Sequence, residues 1–336
     1  MGIISSIKAR VCTREDVEPL VDFAKRMKKC HQADFIPQTA EEFLSKYRKY
    51  DSDSDDLNLS ILYHKDKSIV GCSGYVPFKG IFAGKPLKGF IGTDAAIDPE
   101  YSKQFPNLAP ILAHSYESLV RSDKLLPLIC PANQDVSKDF QKVQWRKMAA
   151  IYRFSHPAIA RLAPDLESSE FKIVSVDSFP ESLNDFFQRV SKEHYFLMNT
   201  DVDFLNWKYF QNQYNTYRVL IAFKGSEIAG YIVTQEVHSD ISIVDCVIDL
   251  EHPQLILLLM CKSFSYCSQS DIARTFSYLS HRRYIEVLQK VGFVNTWVVD
   301  CLFFKVALLY SNIDQNLFFT ADSSLYHFNG FDQYFS

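Results

Sequence analysis

Ser60-Ile61-Leu62-Tyr63-His64-Lys65-Asp66-Lys67-Ser68-Ile69-Val70-Gly71 is an apolar strand, a polar turn and a second apolar strand that ends on glycine. The pattern returns as Arg218-Val219-Leu220-Ile221-Ala222-Phe223-Lys224-Gly225-Ser226-Glu227-Ile228-Ala229-Gly230. Apolar runs of this length around a short polar turn predict a β-hairpin. About half the chain separates the two copies, which points to a duplicated domain and not to a solenoid of short repeats.

Working outward from each hairpin gives the same order twice. In the first half, Thr13 with Asp16 and Thr39 with Glu42 have capping-box spacing, so two helices precede the hairpin. A further strand over Gly89–Ile97, a helix over Asn107–Arg121, a strand over Pro127–Pro131 and a helix over Val136–Val143 follow it. In the second half a strand at Phe171–Val176 and helices at Pro180–Glu193 and Val202–Phe210 lead into the hairpin. Ile241–Asp249, Gln254–Ser268, Ala273–Leu279, Arg282–Val291 and Phe293–Leu309 then repeat the order strand, helix, strand, helix, strand. The expected fold is α/β, with two tandem domains, each a mixed, mostly antiparallel sheet flanked by helices. The expected limits are residues 1–155 and 170–336, joined by a linker over 156–169.

Composition narrows the class. The 336 residues are 47% hydrophobic and 23% charged, enough for a core in each half. A net charge of −4 argues against a nucleic-acid partner, which a basic surface would recruit. No apolar run reaches the roughly 18 to 20 residues of a membrane helix. Lys8 and Arg10 interrupt the N-terminal stretch before a signal-peptide core can form. The eight cysteines are scattered without Cys-x-x-Cys spacing, which fits reduced thiols in the cytoplasm and no metal site.

The stretch richest in chemistry is Gly92-Thr93-Asp94-Ala95-Ala96-Ile97-Asp98-Pro99-Glu100-Tyr101, followed by Ser102–Asn107. A strand ends on an Asp-Pro turn, and a loop then delivers the chain to a helix start near Leu108. A helix start offers free backbone N–H groups and a positive dipole end, which suits pyrophosphate. The alternative is a plain strand-to-helix connection.

This stretch resembles the GNAT superfamily of acyl-CoA-dependent N-acyltransferases, where a Val-His-Pro-Asp-Tyr run precedes the pyrophosphate loop. Asn133, Val136, Phe140, Lys142 and Trp145 resemble the family's Asn-x-x-Ala helix ending in Gly-Phe, and Val291-Gly292-Phe293 repeats that ending. Asp203-Phe204-Leu205-Asn206-Trp207-Lys208-Tyr209 is similar to a Leu-x-Trp-Arg-Tyr motif of two-domain members. The loop glycines of the family are replaced here by Lys103, Phe105 and Asn107. The family's tyrosine acid falls on Phe140 and Leu288, which cannot donate a proton.

The resemblance implies acyl-CoA as co-substrate. Its pantetheine arm would lie along Asp94 to Ile97, against Ala95, Ala96 and Ile97, or along Asp245 to Ile248 in the other copy. Ser102, Lys103, Gln104, Phe105, Asn107 and Leu108 would meet the pyrophosphate, with Asn133 alongside. Asp249 and Glu251 at the corresponding loop of the second half would repel phosphate, which favours the first half. Asp94 and His194 are the candidate bases, each with a structural role as the alternative. The overall likeness is to bacterial transferases that acylate a nucleotide-linked amino sugar with acetyl or 3-hydroxybutyryl groups. Trp207, Tyr217, Arg218, Arg282 and Arg283 would then hold the base and diphosphate. Aminoacyl-tRNA-dependent peptidoglycan ligases and a non-catalytic binding module are the other classes the pattern allows.

Overall fold

The computed structural model describes residues 7–29, 37–50, 55–64, 68–103, 125–129, 134–142, 145–156, 170–211, 216–237, 240–266, 274–279, 281–304 and 326–327. The expected linker lies almost wholly outside them, so the domain limits are not settled by the fold.

In the first half, strand β1 (Ile7–Thr13) and a turn closed by the Asp16 carboxylate, which accepts from the Thr13 amide at 2.9 Å, lead into α1 (Val17–Lys29). Helix α2 (Ala40–Tyr47) begins with the reciprocal bonds of its Thr39 and Glu42 cap, at 3.2 and 3.1 Å. Strands β2 (Asp56–His64), β3 (Ile69–Phe82) and β4 (Lys85–Ile97) form a meander. A short helix α3 (Pro99–Ser102), β5 (Leu126–Ile129), α4 (Gln134–Lys142) and β6 (Trp145–His156) complete the half. The face of the sheet under α1 and α2 is sealed by Leu20, Phe23, Phe43, Tyr47 and Leu59, all fully buried.

The second half runs β7 (Lys172–Val176), α5 (Leu183–Val190), β8 (Phe196–Met198), α6 (Val202–Asn206) and a π turn (Trp207–Gln211). It continues with β9 (Arg218–Lys224), β10 (Glu227–Val237), β11 (Asp240–Ile248), α7 (Leu255–Phe264), β12 (Arg274–Leu279), α8 (Arg282–Lys290), β13 (Val294–Phe304) and β14 (Tyr326–His327). Both hairpins form where the sequence pattern puts them: Leu59–Tyr63 pairs with Gly74–Ile69, and Arg218–Lys224 with Thr234–Glu227.

Each half is mostly antiparallel with one parallel pairing in its main sheet, β4 with β5 and β11 with β12. The two sheets are not separate. The described strands form one 14-stranded sheet in which β13 inserts between β5 and β6, and the far end of β6 pairs with β12. Each half thus receives a long strand from the other. A second seam joins β8 to Gly80–Phe82 of β3. Glycine permits that approach, since a Cβ on Gly80 would stand 2.7 Å from the Leu197 carbonyl oxygen. Tyr50 packs on Phe204 and Trp207 beside this seam, with ring centroids 5.4 Å away in each case. Lys79 pairs with Asp201 at 2.9 Å. No helix among the described residues is long and apolar enough to cross a membrane.

Candidate active site

The parallel pairing of β4 and β5 covers only Gly89 to Gly92 against Leu126 to Ile129. Among the described residues, no strand pairs with Thr93 to Ile97 on that side, so among them the strand edge is open there. The opening coincides with a bulge, because Cys72 faces Ala96 whereas Gly74 already faces Thr93. Asp94 sits in the bulge with φ at 48°, a left-handed backbone that non-glycine residues seldom take. Ala96 and Ile97 are buried along the open edge and Ala95 is half-buried.

The second half repeats this geometry. Pairing of β11 with β12 stops at Ile243 and Ser277, and the register against β10 shifts between Val233 and Thr234, opposite Asp245. The loops that follow the two strands also match. The Asp98 amide donates to Val70 at 2.8 Å, and its carboxylate accepts from the Glu100 amide at 3.0 Å. Asp249 does the same with Ala229 at 2.9 Å and Glu251 at 3.0 Å.

What differs is the content of the opening. In the second half the Tyr284 hydroxyl accepts from the Ile248 amide and donates to the Ile248 carbonyl, both at 3.0 Å. Tyr284 is fully buried, and burial pushes its hydroxyl well above the usual phenol range, so it stays protonated. A tyrosine side chain therefore occupies the strand groups that an added strand would need. Aligned on Trp145 and Phe293 after the two helices, Tyr284 corresponds to Val136 of the first half.

Asp94 is buried, and its carboxylate accepts from the Tyr47 hydroxyl and pairs with Lys46 Nζ at 2.9 Å. The Tyr47 ring lies over Gly74, where a Cβ would approach it to 2.3 Å. In the second half Asp245 accepts from Tyr209 at 2.7 Å and from Tyr231 at 3.0 Å, again in full burial. Lys46-Tyr47 and Lys208-Tyr209 are thus equivalent pairs; the sequence reading noted the second within the Trp207 motif and did not name the first. The signal was present, since Phe43-Leu44 and Phe204-Leu205 precede the two pairs closely.

His194 is buried in the second half. Its ring lies 4.7 Å from that of His281 and 6.2 Å from that of Tyr284, so it backs the closed opening. Burial, helped by Arg283, lowers the His281 imidazole to about 4, which keeps it neutral. Ser102 ends α3, and Lys103 follows it, exposed. Gln104, Phe105, Asn107, Leu108 and Asn133 lie outside the described residues.

The five residues expected to hold an acceptor fall in three places. Trp207 packs on Tyr50 at the seam between the halves. Tyr217 and Arg218 line a cleft of about 470 Å³ together with Phe210, Thr234, Asp177 and Glu236. There Arg218 stands 3.9 Å from Glu236 and 5.2 Å over the Tyr266 ring. Arg282 and Arg283 are elsewhere, at the start of α8. Arg282 pairs with Glu286 at 2.7 Å, and Arg283 donates to the Leu250 carbonyl at 3.2 Å.

No family model matches the chain, and no curated protein matches it. Solved structures do. A GCN5-related N-acetyltransferase from Anabaena variabilis aligns with a TM-score of 0.62 at 12% identity, over 88% of this chain and 72% of that one. N-myristoyltransferase from Saccharomyces cerevisiae with bound myristoyl-CoA gives 0.60 at 9%, over 91% and 84%. A tandem GNAT protein from the clavulanic acid biosynthesis pathway gives 0.58 at 11%, over 88% and 98%. At these identities the likeness is one of fold: the chain has the fold of the GCN5-related N-acetyltransferases, with its pattern of elements present twice.

Proposed function

We propose that the protein is an acyl-CoA-dependent N-acyltransferase whose co-substrate lies against the first half. The observation that carries this reading is the open edge of β4 from Thr93 to Ile97, set against its copy in β11, where Tyr284 takes the Ile248 backbone groups. The N–H and C=O groups of such an edge, unpaired among the described residues, fit the two amides of a pantetheine arm, which would add as a further strand. Acyl-CoA would supply an activated thioester carbonyl. The chain would supply Ala95, Ala96 and Ile97 as the seat, backbone N–H donors toward the carbonyl oxygen, and the amides following Ser102 for pyrophosphate. Asp98 and Glu100 stand in the first-half loop where Asp249 and Glu251 stand in the second, so the preference for the first half rests on Tyr284 and not on loop charge.

The acceptor we propose is a primary amine, specifically that of a nucleotide-linked amino sugar. The sequence likeness to nucleotide-sugar acyltransferases supports it; the cleft around Phe210, Tyr217 and Arg218 has rings and a guanidinium but lies on β10 and β9, six and seven strands along the sheet from β4, and does not adjoin the proposed seat. The described cysteines are buried, free thiols, which suits a reducing compartment such as the cytoplasm.

The experiment is to incubate the protein with acetyl-CoA or 3-hydroxybutyryl-CoA and three acceptors: a dTDP-linked aminodeoxyhexose, the free amino sugar and a lysine peptide. The proposal expects acylation of the nucleotide sugar with lower turnover on the free sugar, because remote binding energy orients the amine. Preference for the peptide would reject the sugar acceptor. No transfer to any amine would reject the enzyme reading.

A further inference from the structure

The duplication supplies an internal control for the role of Asp94. A carboxylate lies buried at the β4 bulge, held by Lys46 and Tyr47, and its counterpart Asp245 lies buried at the β11 bulge, held by Tyr209 and Tyr231. Among the described residues the first of these bulges borders an unpaired edge, whereas Tyr284 closes the second. A general base would have no work at the closed copy, yet that copy carries the same carboxylate with two buried donors. What the two positions share is the bulge itself. In the first half its backbone is strained, with Asp94 at a φ of 48°. Such strain persists only when surrounding contacts over-determine it.

We propose that Asp94 is a positioning residue: Lys46 and Tyr47 hold its carboxylate, and the carboxylate pins the β4 bulge that precedes Ala96 and Ile97, which stay paired with β3 and present their other edge as the acyl-CoA seat. Three observations support it. Asp94 Oδ2 already takes both an ammonium and a phenol, and Oδ1 accepts from the Thr93 hydroxyl at 3.1 Å, so both oxygens have partners before any substrate arrives. Both donors come from the last turn of α2, a helix fixed in the core by Phe43 and Tyr47. Gly74 opposite the bulge leaves room for the Tyr47 ring, as the 2.3 Å Cβ approach requires. The seat being for acyl-CoA rests on the function proposed above; the pinning of the bulge does not.

The test separates a pin from a base. Asn is isosteric with Asp, accepts from Tyr47 through its amide oxygen and tolerates left-handed backbone, but cannot take up a proton at catalytic pH. Because Asp94→Asn alone leaves the Lys46 ammonium buried without its counter-charge, the Lys46→Met/Asp94→Asn double variant is made beside it. The double variant loses one of the two groups that hold the pin, so its KM for acyl-CoA should rise, while its pH–rate profile keeps the shape of the unaltered protein's. Asp94→Leu and Tyr47→Phe should raise KM for acyl-CoA at least tenfold. Loss of about 10²-fold or more in kcat, with KM held and the limb of the pH profile gone, would make Asp94 the base and overturn the proposal.

Hydrogen exchange gives a readout that needs no acyl-CoA. Tyr47→Phe and Asp94→Leu should speed exchange at Thr93–Ile97 tenfold or more and leave the β10 and β11 amides unchanged. Unchanged exchange at Thr93–Ile97 would overturn the pin. If the unaltered protein binds no acyl-CoA but its exchange responds in this way, the enzyme reading fails and the pin stands.

Discussion

The Tyr284 hydroxyl bridges the amide and carbonyl of Ile248, 3.0 Å from each. One side chain thereby completes a strand edge that is unpaired among the described residues of its duplicate. Tyr284→Phe keeps the ring and deletes the bridge, leaving two buried backbone groups unsatisfied. Stability should fall by about 1–3 kcal/mol, measured by urea denaturation. An unchanged midpoint would mean that water or another group satisfies Ile248 equally well.

Gly74→Ala should strike the Tyr47 ring, because the added Cβ would lie 2.3 Å from it. The ring cannot swing aside without giving up its bond to Asp94. The expected cost is about 1–3 kcal/mol of stability, with acyl-CoA affinity falling in parallel. Calorimetric melting and ligand titration of the same variant would check both.

The buried His281 makes stability depend on pH. Its imidazole is lowered from 6.5 to about 4, chiefly by burial. Between those values the unfolded chain binds a proton that the folded chain refuses. The contribution is complete above pH 6.5 and declines as pH falls toward 4, by about 3 kcal/mol over the range. Denaturation of the unaltered protein and of His281→Gln at pH 7.5 and 4.5 should differ in this sense, the variant having the flatter dependence. Equal dependence in both would remove His281 from the acid response.

Much of the fold was legible because local pattern and final structure agree. The hairpins at Ser60–Gly71 and Arg218–Gly230, the Thr39 cap and the further strand after each hairpin were all readable from spacing. The single sheet was not. β6 and β13 are long strands, and nothing in their periodicity says whether each closes its own half or crosses to the other. β8 is three residues long, too short for a period, and it forms because Gly80 admits Leu197. At the site, the open edge of β4 was expected and Asp94 was expected beside it. The ion pair with Lys46 was hidden because it joins residues 46 and 94, far apart in the chain. Trp207, Tyr217 and Arg282 look alike as candidates in one dimension, and the fold sends them to a seam, a cleft and a helix start.

The central claim is that one half seats acyl-CoA and the other is closed by Tyr284. It is tested most directly by moving the stopper. Val136 holds the position in the first half that Tyr284 holds in the second. Isothermal titration of acetyl-CoA into the unaltered protein, Val136→Tyr and Tyr284→Phe should give about one site per chain, no measurable site, and about one site, respectively. Circular dichroism of each variant would verify that it is folded. Binding that survives Val136→Tyr in a folded protein, or that disappears in Tyr284→Phe alone, would place the co-substrate in the second half and contradict the account.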